Sequence, residues 1–527
     1  MTGADLVVSE LIARNVQHLF TLSGNQNLPI FDACIGKDIQ LIHTRHEAAA
    51  VHMADGWGRL TGKPGVALLT AGPGHCNGII GLTVAQAAES PLLLISGHSP
   101  LRQTGMGAFQ ELDQVALATP VTKWSRLSTD PRRLGADVAE GLHVAASGRP
   151  GPVHLSIPID LLQTEVSDGC TVEPITDTSI QNLTSAEIEF ILDRLQAAQR
   201  PVILTGPAMC RGSAWTAIQA LESLISIPSF PCESPRGVDD PWLRGAKHLL
   251  AQADFVLLLG KKLDFSLRFG DSPAFAESVS FLSIETDNAP LNSNRIDAYL
   301  RADPAKIADV LLEAAKARQW PKNEWAHRVK SARGIPIEWL GYRKSDEIPI
   351  HPLAICDALQ PFLEKNAVFV SDGGEIGQWM QAGLTADVRL INGPSGSIGS
   401  SLPMGMAAKL ETPNKNVFVF QGDGTFGFHA FEIDTCLRHN LPVIVIVGND
   451  AQWNAEVQLQ IRNYGPDRTI ACDLLPTRYD KVAKSLGAFG ERVVDPNNLS
   501  SAVERALKSG LPSVIDVQIN GIPAPSF

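Results

Sequence analysis

The chain has 527 residues, of which 44% are hydrophobic and 19% charged, a composition typical of a globular protein with several domains. Its formal net charge of −12 argues against nucleic acid or an anionic membrane as a partner. No apolar run approaches the length of a membrane span, and the first residues lack the basic and apolar order of a signal peptide, so we expect the cytoplasm.

The N-terminal third alternates between helical and strand patterns. Its predicted helices are 5–14 and 47–61, and its predicted strands are 18–20, 39–42, 65–70 and 91–96. Apolar strands separated by helices indicate a parallel sheet that is covered on both faces. We therefore predict a doubly wound domain over residues 1–168.

A polar stretch rich in Thr, Asp and Ser at 167–185 predicts a linker, and two further units of the same kind follow it. Their predicted strands are 201–206, 255–260, 279–284 and 367–371, with a charged helical region at 305–345. The predicted fold class is α/β, with three tandem doubly wound parallel-sheet domains. Their ranges are 1–168, 186–335 and 347–527.

One glycine turn in the third domain has a pattern that indicates a metal site. Residues 418–427 predict a strand, a Gly-Asp-Gly turn and a helix start, and the apolar run 441–447 predicts a second strand that leads to Asn449 and Asp450. Ligands of parallel sheets bind outside the carboxyl ends of the strands. If a phosphate binds there, Asp423 repels it unless a divalent cation lies between them, and oxygen ligands select magnesium or calcium.

Two other interpretations of this turn stay open at this point. Gly422-x-Gly424-x-x-Gly427 also matches the dinucleotide fingerprint, although that motif expects its acidic residue about 20 positions downstream and not inside the loop. The second alternative is a purely structural turn.

The turn resembles the diphosphate and magnesium motif of thiamin-diphosphate enzymes, which runs from Gly-Asp-Gly to a pair of asparagines. Here Asp450 stands where that family more often has asparagine. A second resemblance lies far upstream, where 44–50, 54–59 and 70–77 are similar to the family's pyrimidine-domain pattern. Order and spacing agree over nearly the whole chain, and the chain resembles the branch of acetolactate synthase, benzaldehyde lyase and 2-hydroxyacyl-CoA lyase.

The resemblance implies thiamin diphosphate and Mg²⁺ as cofactors. It implies that Asp423, Asp450 and the backbone carbonyl of Gln452 hold the metal. An aspartate at 450 adds a negative charge beside the diphosphate, so the metal becomes more necessary. The residues expected to contact the cofactor are Pro73, Asn77, Gly374, Glu375, Gly396, Ser397, Ile398, Gly422, Gly424, Thr425, Asn449 and Trp453.

Glu47 is the first candidate catalytic residue. The small and apolar residues around it predict a helix start that faces the interior, where a carboxyl group holds its proton more readily. The resemblance implies that it hydrogen-bonds the aminopyrimidine and so promotes proton removal from the thiazolium ring. The alternative is a solvated glutamate stabilised by the helix dipole.

Two glutamines are further candidates. Gln110 belongs to a loop that resembles one bringing a glutamine toward substrate, and Gln26 stands where benzaldehyde-lyase-like members carry histidine. Amides orient a carbonyl group but are poor proton acceptors. Either side chain could instead be a simple hydrogen-bonding loop residue.

The expected function is a carbon–carbon lyase or carboligase for 2-hydroxy ketones, aldehydes or 2-oxo acids. Ser266 and Leu459 stand where acetolactate synthases carry an arginine and a tryptophan, and the stretch 235–248 looks too short for a flavin-binding loop. A 2-hydroxyacyl-CoA lyase, which the missing basic C-terminal tail disfavours, a 2-oxo acid decarboxylase and a non-catalytic cofactor-binding member remain alternatives. In this family the cofactor lies across a subunit boundary, which implies at least a homodimer, with a homotetramer expected.

Overall fold

The computed structural model describes residues 1–167, 182–287, 294–364 and 366–525. They form three separate parallel sheets of six, five and six strands, which confirms the predicted α/β class. Most of the predicted linker 167–185 lies outside the described residues, and the exact domain boundaries stay predictions. Within the described ranges, no helix is both long and apolar enough to cross a membrane.

The N-terminal sheet has the strand order β2-β1-β3-β4-β6-β5. Its strands are β1 (His18–Thr21), β2 (Gln40–His43), β3 (Gly65–Leu69), β4 (Leu92–His98), β5 (Ser125–Leu127) and β6 (Pro152–Pro158). Its helices are α1 (Gly3–Ala13), α2 (Leu28–Ala33), α3 (Glu47–Thr61), α4 (Pro73–Ala87), α5 (Gln114–Ala118), α6 (Leu134–Ala146) and α7 (Ile159–Gln163).

The central sheet has the order β11-β10-β9-β7-β8. Its strands are β7 (Pro201–Thr205), β8 (Ser229–Pro231), β9 (Phe255–Leu259), β10 (Ser280–Glu285) and β11 (Ile296–Arg301). The helices of this part of the chain are α8 (Ser185–Ala197), α9 (Gly212–Ile225), α10 (Lys247–Leu250), α11 (Pro304–Ala315), α12 (Glu324–Ala332) and α13 (Trp339–Arg343).

The C-terminal sheet has the order β13-β12-β14-β15-β17-β16. Its strands are β12 (Ala367–Ser371), β13 (Val388–Ile391), β14 (Asn416–Gly422), β15 (Ile444–Asn449), β16 (Phe489–Val493) and β17 (Ser513–Gln518). Its helices are α14 (Pro352–Leu363), α15 (Gly374–Gly383), α16 (Ser401–Glu411), α17 (Asp423–His429), α18 (Glu432–Arg438), α19 (Asn454–Tyr464), α20 (Tyr479–Leu486) and α21 (Leu499–Ser509).

The central strands of each sheet are buried on both faces, as their unbroken apolar sequences predict. Every residue of β3, β4, β7, β9 and β12 is buried. Helices on either side of each sheet supply the covering. One strand differs in its bounds from the prediction. β15 begins at Ile444 and ends at Asn449, whereas the apolar run predicted a strand over 441–447. Residues 441–443 form the approach to the strand.

Helix α3 illustrates how local sequence positions a functional residue. Its N-cap is His46, whose ring nitrogen accepts the Ala48 N–H at 3.1 Å, and its C-cap is Gly62 with φ of 69°. A side-chain acceptor at the start and a left-handed glycine at the end satisfy the exposed backbone groups of a helix. The helix therefore begins at Glu47, which places this side chain at the edge of the N-terminal sheet.

The N-terminal and C-terminal domains share one apolar core through α3 and α16. A methyl group on Gly56 of α3 would lie 2.9 Å from the Cα atom of Met404 in α16, so the two helices approach closely only because residue 56 is glycine. Met404 belongs to a single cluster of buried apolar side chains that continues into α3 through Met53 and Ala54. The first and third domains are therefore packed as one unit.

Candidate active site

The carboxyl ends of β14 and β15 border a cavity of about 110 Å³. Ten of the predicted site residues line it: Gly374, Glu375, Ile398, Gly422, Asp423, Gly424, Thr425, Asp450, Gln452 and Trp453. These residues come from four separate segments of the chain, and the parallel sheet brings them together because all its strands end on the same edge.

Two carboxylates dominate the electrostatics of this cavity. Asp423 is 2% exposed, and its Oδ2 atom is buried without a hydrogen-bond partner among the described residues. Burial, together with the nearby charge of Asp450, raises the pKa of Asp423 to about 7. Burial likewise raises the pKa of Asp450 to about 6, partly offset by hydrogen bonds from Gln452 and Asn454. One buried and one half-buried carboxylate that line the same cavity favour a cation between them.

A third acidic group lines the same cavity. Burial raises the pKa of Glu375, whose carboxylate accepts the backbone N–H of Ala524 and, at 3.5 Å, the side-chain amide of Gln378. The C-terminal segment thus runs beside the cavity, where Gly521 also approaches Asp450. Among the described residues no group of three His, Cys, Asp or Glu side chains has the arrangement of a metal site, so a metal here would rely on two carboxylates and backbone oxygen.

Trp453 and Ile398 form the apolar walls. A methyl group on Gly424 would lie 2.5 Å from the ring of Trp453, so the indole packs directly against the start of α17. Thr425 is buried and its hydroxyl donates to the carbonyl of Gly422 at 3.0 Å. The cavity therefore combines a polar floor with a flat aromatic side.

Gly396, Ser397 and Ile398 belong to a loop that a buried carboxylate holds in place. Asp372, directly after β12, accepts N–H groups of Gly399 at 3.0 Å and Ser401 at 3.2 Å, and the Ser401 hydroxyl at 2.7 Å. Sequence reasoning missed Asp372, although an acidic residue immediately after a predicted strand was a signal for it. Ser397 lies in the loop's backbone network, and Gly396 lines the neighbouring large cleft.

Asn449 points away from this cavity. Its side-chain amide donates to Asp516 Oδ1 and to the Thr477 carbonyl, both at 2.9 Å. Its Oδ1 atom accepts the Ala451 N–H at 3.3 Å, which shapes the turn that follows β15. The side chain of Asn449 thus stabilises the turn after β15, and its predicted contact with a cofactor stays a prediction.

The other predicted residues gather at the carboxyl end of β3 in the N-terminal domain. Gln26 is 2% exposed, and its Oε1 atom accepts the hydroxyl of Thr70 at 2.7 Å. Gln110 adopts a φ of 61° and packs on Gly72, where a methyl group would lie 2.9 Å from the Gln110 carbonyl oxygen. Both glutamines therefore belong to one neutral cluster at this strand end.

Glu47 lies in the same cluster. Its Oε2 atom accepts the side-chain amide of Asn77 at 3.0 Å, and its Oε1 atom would lie 3.5 Å from a methyl group on Gly74. The helix starts where the sequence predicted, but within one chain Glu47 is half-buried and not enclosed. Pro73 and Asn77 are exposed at the start of α4, on the same open face.

The two groups of residues remain apart within a single chain. In the described ranges, every residue that lines the 110 Å³ cavity comes from positions 373–519, and none belongs to the N-terminal domain. The two groups differ in chemistry. The N-terminal group offers neutral hydrogen-bonding side chains and Glu47, whereas the C-terminal group offers acidic side chains and helix N–H groups. The structure thus contains two half-sites.

The residues present fit a diphosphate-bearing cofactor with a divalent cation. The Oδ2 atom of Asp423, which has no hydrogen-bond partner among the described residues, and the nearby Asp450 suit a cation, and a cation between them would permit a diphosphate to approach. The N-terminal half-site fits a neutral ring with hydrogen-bonding edges, since Glu47 and Asn77 supply an acceptor and donors. A protein of three doubly wound domains with these half-sites belongs among cofactor-dependent α/β enzymes.

Comparison with known families identifies the class. Residues 1–117 match the N-terminal TPP binding domain of thiamine pyrophosphate enzymes, 188–311 match their central domain, and 372–517 match their C-terminal TPP binding domain. A probable acetolactate synthase of Mycobacterium bovis is 33% identical over 98% of this chain and 95% of its own length. The 2-hydroxyacyl-CoA lyase 2 of Caenorhabditis elegans is 31% identical, over 95% of this chain and 86% of that protein.

The chain belongs to the family of thiamine pyrophosphate enzymes. It is an enzyme that depends on thiamin diphosphate, which confirms the resemblance seen in the motifs at Glu47 and Asp423. The dinucleotide interpretation of the glycine turn is therefore wrong, since the turn lies within the matched C-terminal TPP binding domain.

Proposed function

We propose that this protein is a Mg²⁺-dependent carbon–carbon lyase or carboligase that acts on 2-hydroxy ketones, aldehydes or 2-oxo acids. The observation that supports it most is the pair of buried Asp423 and half-buried Asp450 beside the glycine turn, with an Asp423 oxygen that has no hydrogen-bond partner among the described residues. A decarboxylase acting on 2-oxo acids would use the same groups.

In this proposal the C-terminal half-site holds the cation and the diphosphate. Asp423, Asp450 and the carbonyl of Gln452 would bind Mg²⁺, while Thr425 and the N–H groups at the start of α17 face the diphosphate. Trp453 and Ile398 would keep water away from the reacting carbon. When bound, thiamin diphosphate would supply the carbon nucleophile for a carbonyl carbon and the electron sink for the carbon–carbon bond that breaks.

The N-terminal half-site would handle the proton and orient the substrate. Glu47 is expected to share a proton with a ring nitrogen of the pyrimidine, with Asn77 holding its carboxylate at 3.0 Å. Gln110 and Gln26 would orient a carbonyl or hydroxyl oxygen, although Thr70 already occupies the Gln26 oxygen. Neither amide accepts a proton at neutral pH.

The two half-sites must come from two copies of the chain for this function. A dimer would place the Glu47 face of one copy over the acidic cavity of the other. Large exposed side chains near both half-sites are consistent with such a contact: Met106 and Phe109 are 75% and 72% exposed, and Phe428 and Phe431 are 54% and 59% exposed. Light scattering of the purified protein should give a dimer or tetramer, and a monomer under all conditions would contradict this assembly.

A second candidate function is cleavage of a 2-hydroxyacyl-CoA. A cleft of about 1180 Å³ lies between the central and C-terminal domains and shares Gly374, Ile398 and Glu456 with the smaller cavity. Its lining includes basic and aromatic side chains, namely Arg236, Lys247, Arg268, Phe265 and Phe269, and both Lys247 and Arg268 form ion pairs with Asp239 of the same lining. Such a cleft could hold a long anionic substrate with a stacked base.

The test begins with cofactor dependence. Protein treated with chelator and then freed of it should gain thermal stability when thiamin diphosphate and Mg²⁺ are added together, because both bind only the folded state. Product analysis with 2-oxo acids, aldehydes, acyloins and a 2-hydroxyacyl-CoA then distinguishes the two candidates. The absence of a stability gain would contradict the metal-dependent site, and turnover of the CoA ester alone would favour the second candidate.

A further inference from the structure

The turn before Glu47 is held by a helix of another domain. His43 ends β2, and residues 44–46 connect it to α3 in the N-terminal domain, yet α18 of the C-terminal domain and the residue after it bind much of the backbone of 43–46. The His43 N–H donates to the ring Nε2 of His439 at 3.3 Å. The guanidinium of Arg438 donates to the His43 carbonyl at 2.9 Å. These contacts hold the beginning of the turn.

Glu432 holds the end of the turn. One oxygen of its carboxylate accepts the N–H of Arg45 at 3.0 Å and the N–H of His46 at 3.1 Å, and the other oxygen shares the Arg45 N–H at 3.1 Å. The hydroxyl of Thr435 donates to the other oxygen at 2.6 Å. Glu432 is 1% exposed, so water does not compete for these hydrogen bonds. Charge-assisted bonds of this kind to consecutive N–H groups fix the path of a backbone.

The contact between Glu432 and the turn lies next to Glu47, the candidate catalytic residue. Glu47 follows Arg45 and His46 directly and is the first residue of α3. The direction in which the turn enters the helix sets the position of the Glu47 carboxylate. Without the Glu432 carboxylate, the Arg45 and His46 N–H groups would have to find other partners, and the helix start would shift.

We propose that Glu432 is a positioning residue, which holds Glu47 where it exchanges its proton with the cofactor. The inference rests on the function proposed above for Glu47. It also connects the two half-sites of a chain, because α18 follows α17, whose first residue is the metal-ligand candidate Asp423, nine positions before Glu432. In a dimer, the helix pair that holds the metal of one active site would thus set the Glu47 of the other.

Two substitutions of Glu432 distinguish the effect of its hydrogen-bond acceptors from the effect of its side-chain volume. Glu432→Ala removes both acceptors, and hydrogen exchange of the Arg45 and His46 amides in the cofactor-free protein should become at least about tenfold faster. Turnover should fall by about a hundredfold, because small misplacement of a catalytic group is costly. The stability gain on adding thiamin diphosphate and Mg²⁺ should persist. Glu432→Gln keeps one oxygen for both N–H groups but loses the second acceptor of the Arg45 N–H, so protection and turnover should recover in part relative to Glu432→Ala.

Asp254 offers a matched control. Its carboxylate accepts two consecutive N–H groups, those of Gln199 at 3.0 Å and Arg200 at 2.9 Å, but it lies in the central domain. Asp254→Ala should accelerate exchange at those two amides and leave turnover within about twofold, since surface-proximal changes away from a site have small effects. If Glu432→Ala does not fold, Thr435→Val tests the same contact by removing the hydroxyl that holds the Glu432 carboxylate, with a loss of several-fold in turnover.

Unchanged exchange at Arg45 and His46 in Glu432→Ala, or full turnover despite faster exchange, would overturn the positioning role. Failure of Glu432→Gln to recover any turnover relative to Glu432→Ala would do the same. Glu47→Gln is measured in parallel to keep the two proposals apart. Undiminished turnover of Glu47→Gln overturns the function proposed for Glu47, whereas its loss combined with full turnover of Glu432→Ala overturns only the positioning role.

Discussion

The N-terminal and C-terminal domains have the same strand order and opposite chemistry. Position by position, β2-β1-β3-β4-β6-β5 corresponds to β13-β12-β14-β15-β17-β16. The third strand in chain order, β3 or β14, leads in both domains to a helix start that borders a half-site. After β3 this start is neutral, with Thr70 and Pro73, whereas after β14 it carries Asp423. After the fourth strand the contrast repeats, with Ser99 in one domain and Asp450 in the other.

This contrast shows that the fold determines where a binding site forms, whereas the residues at the strand ends determine what the site binds. A parallel sheet directs all its strand ends to one edge, whatever residues stand there. Neutral groups and one half-buried Glu47 suit a heterocyclic ring, and buried acids suit a cation. The corresponding helices α3 and α16 pack against each other, so the two domains also occupy comparable positions in the molecule.

The largest loss of turnover is expected from a substitution of Glu47 in the N-terminal half-site. Glu47→Gln keeps the contact with Asn77 but cannot accept a proton, so turnover should fall by about 10²-fold or more. Metal dependence of thermal stability should not change, because none of the described residues that line the acidic cavity belongs to this domain. Steady-state kinetics and thermal unfolding check both statements, with Glu10→Gln on α1 as the control. A lost metal response in Glu47→Gln would show that the half-sites are not separate.

The next largest effect is expected on metal binding by the C-terminal half-site. Asp423→Ala removes the buried carboxylate and leaves no oxygen ligand in its place, so the Mg²⁺ concentration for half-maximal stabilisation should rise on the order of a hundredfold. Asp450→Asn leaves an amide oxygen as a ligand, so its rise should be only about tenfold. Titration of thermal stability with Mg²⁺ at saturating thiamin diphosphate measures both. The control is Asp467→Asn at an exposed position of the same domain, and an equal response of all three variants would contradict the assigned ligands.

Two glycines of α17 differ in the space around them, so replacing each with alanine should change stability differently. Gly424→Ala would place a methyl group 2.5 Å from the Trp453 ring, and the free energy of unfolding should fall by about 2 kcal/mol as the indole is displaced. Gly427→Ala in the same helix meets nothing within 4 Å and should be neutral or stabilising by up to about 1 kcal/mol. Denaturant unfolding of the two variants gives the difference directly. Equal effects would mean that Trp453 does not pack on this turn.

The smallest effect concerns the neutral half-site. Thr70→Val removes the hydroxyl that donates to Gln26 and should lower the free energy of unfolding by about 1 kcal/mol, since the amide oxygen stays buried without a partner. Thr83→Val on α4 is the control, because its hydroxyl only shares the Ile79 carbonyl within the helix. Thermal unfolding compares them, and a larger loss for Thr83→Val would contradict the importance of the Gln26 contact.

Much of the fold and the acidic half-site could be predicted from local sequence. Unbroken apolar runs indicated buried parallel strands, and Asp423 and Asp450 stood directly after two of them. The sequence did not reveal that Asn449 turns toward Asp516, because the two residues are 67 positions apart and meet only when β15 pairs with β17. It also missed Asp372 and Glu432, whose partners lie on other segments.

The sequence by itself determined the order of the domains, the strand ends that carry chemistry and the family, because periodicity and motif spacing are properties of neighbouring residues. Only the tertiary structure decided which side chains are buried, which acceptors lack donors and which helix holds the turn before Glu47. Those properties depend on contacts between distant parts of the chain. The contact between Glu432 and the turn at 45–46 joins residues almost four hundred positions apart and exists only because the first and third domains pack as one unit.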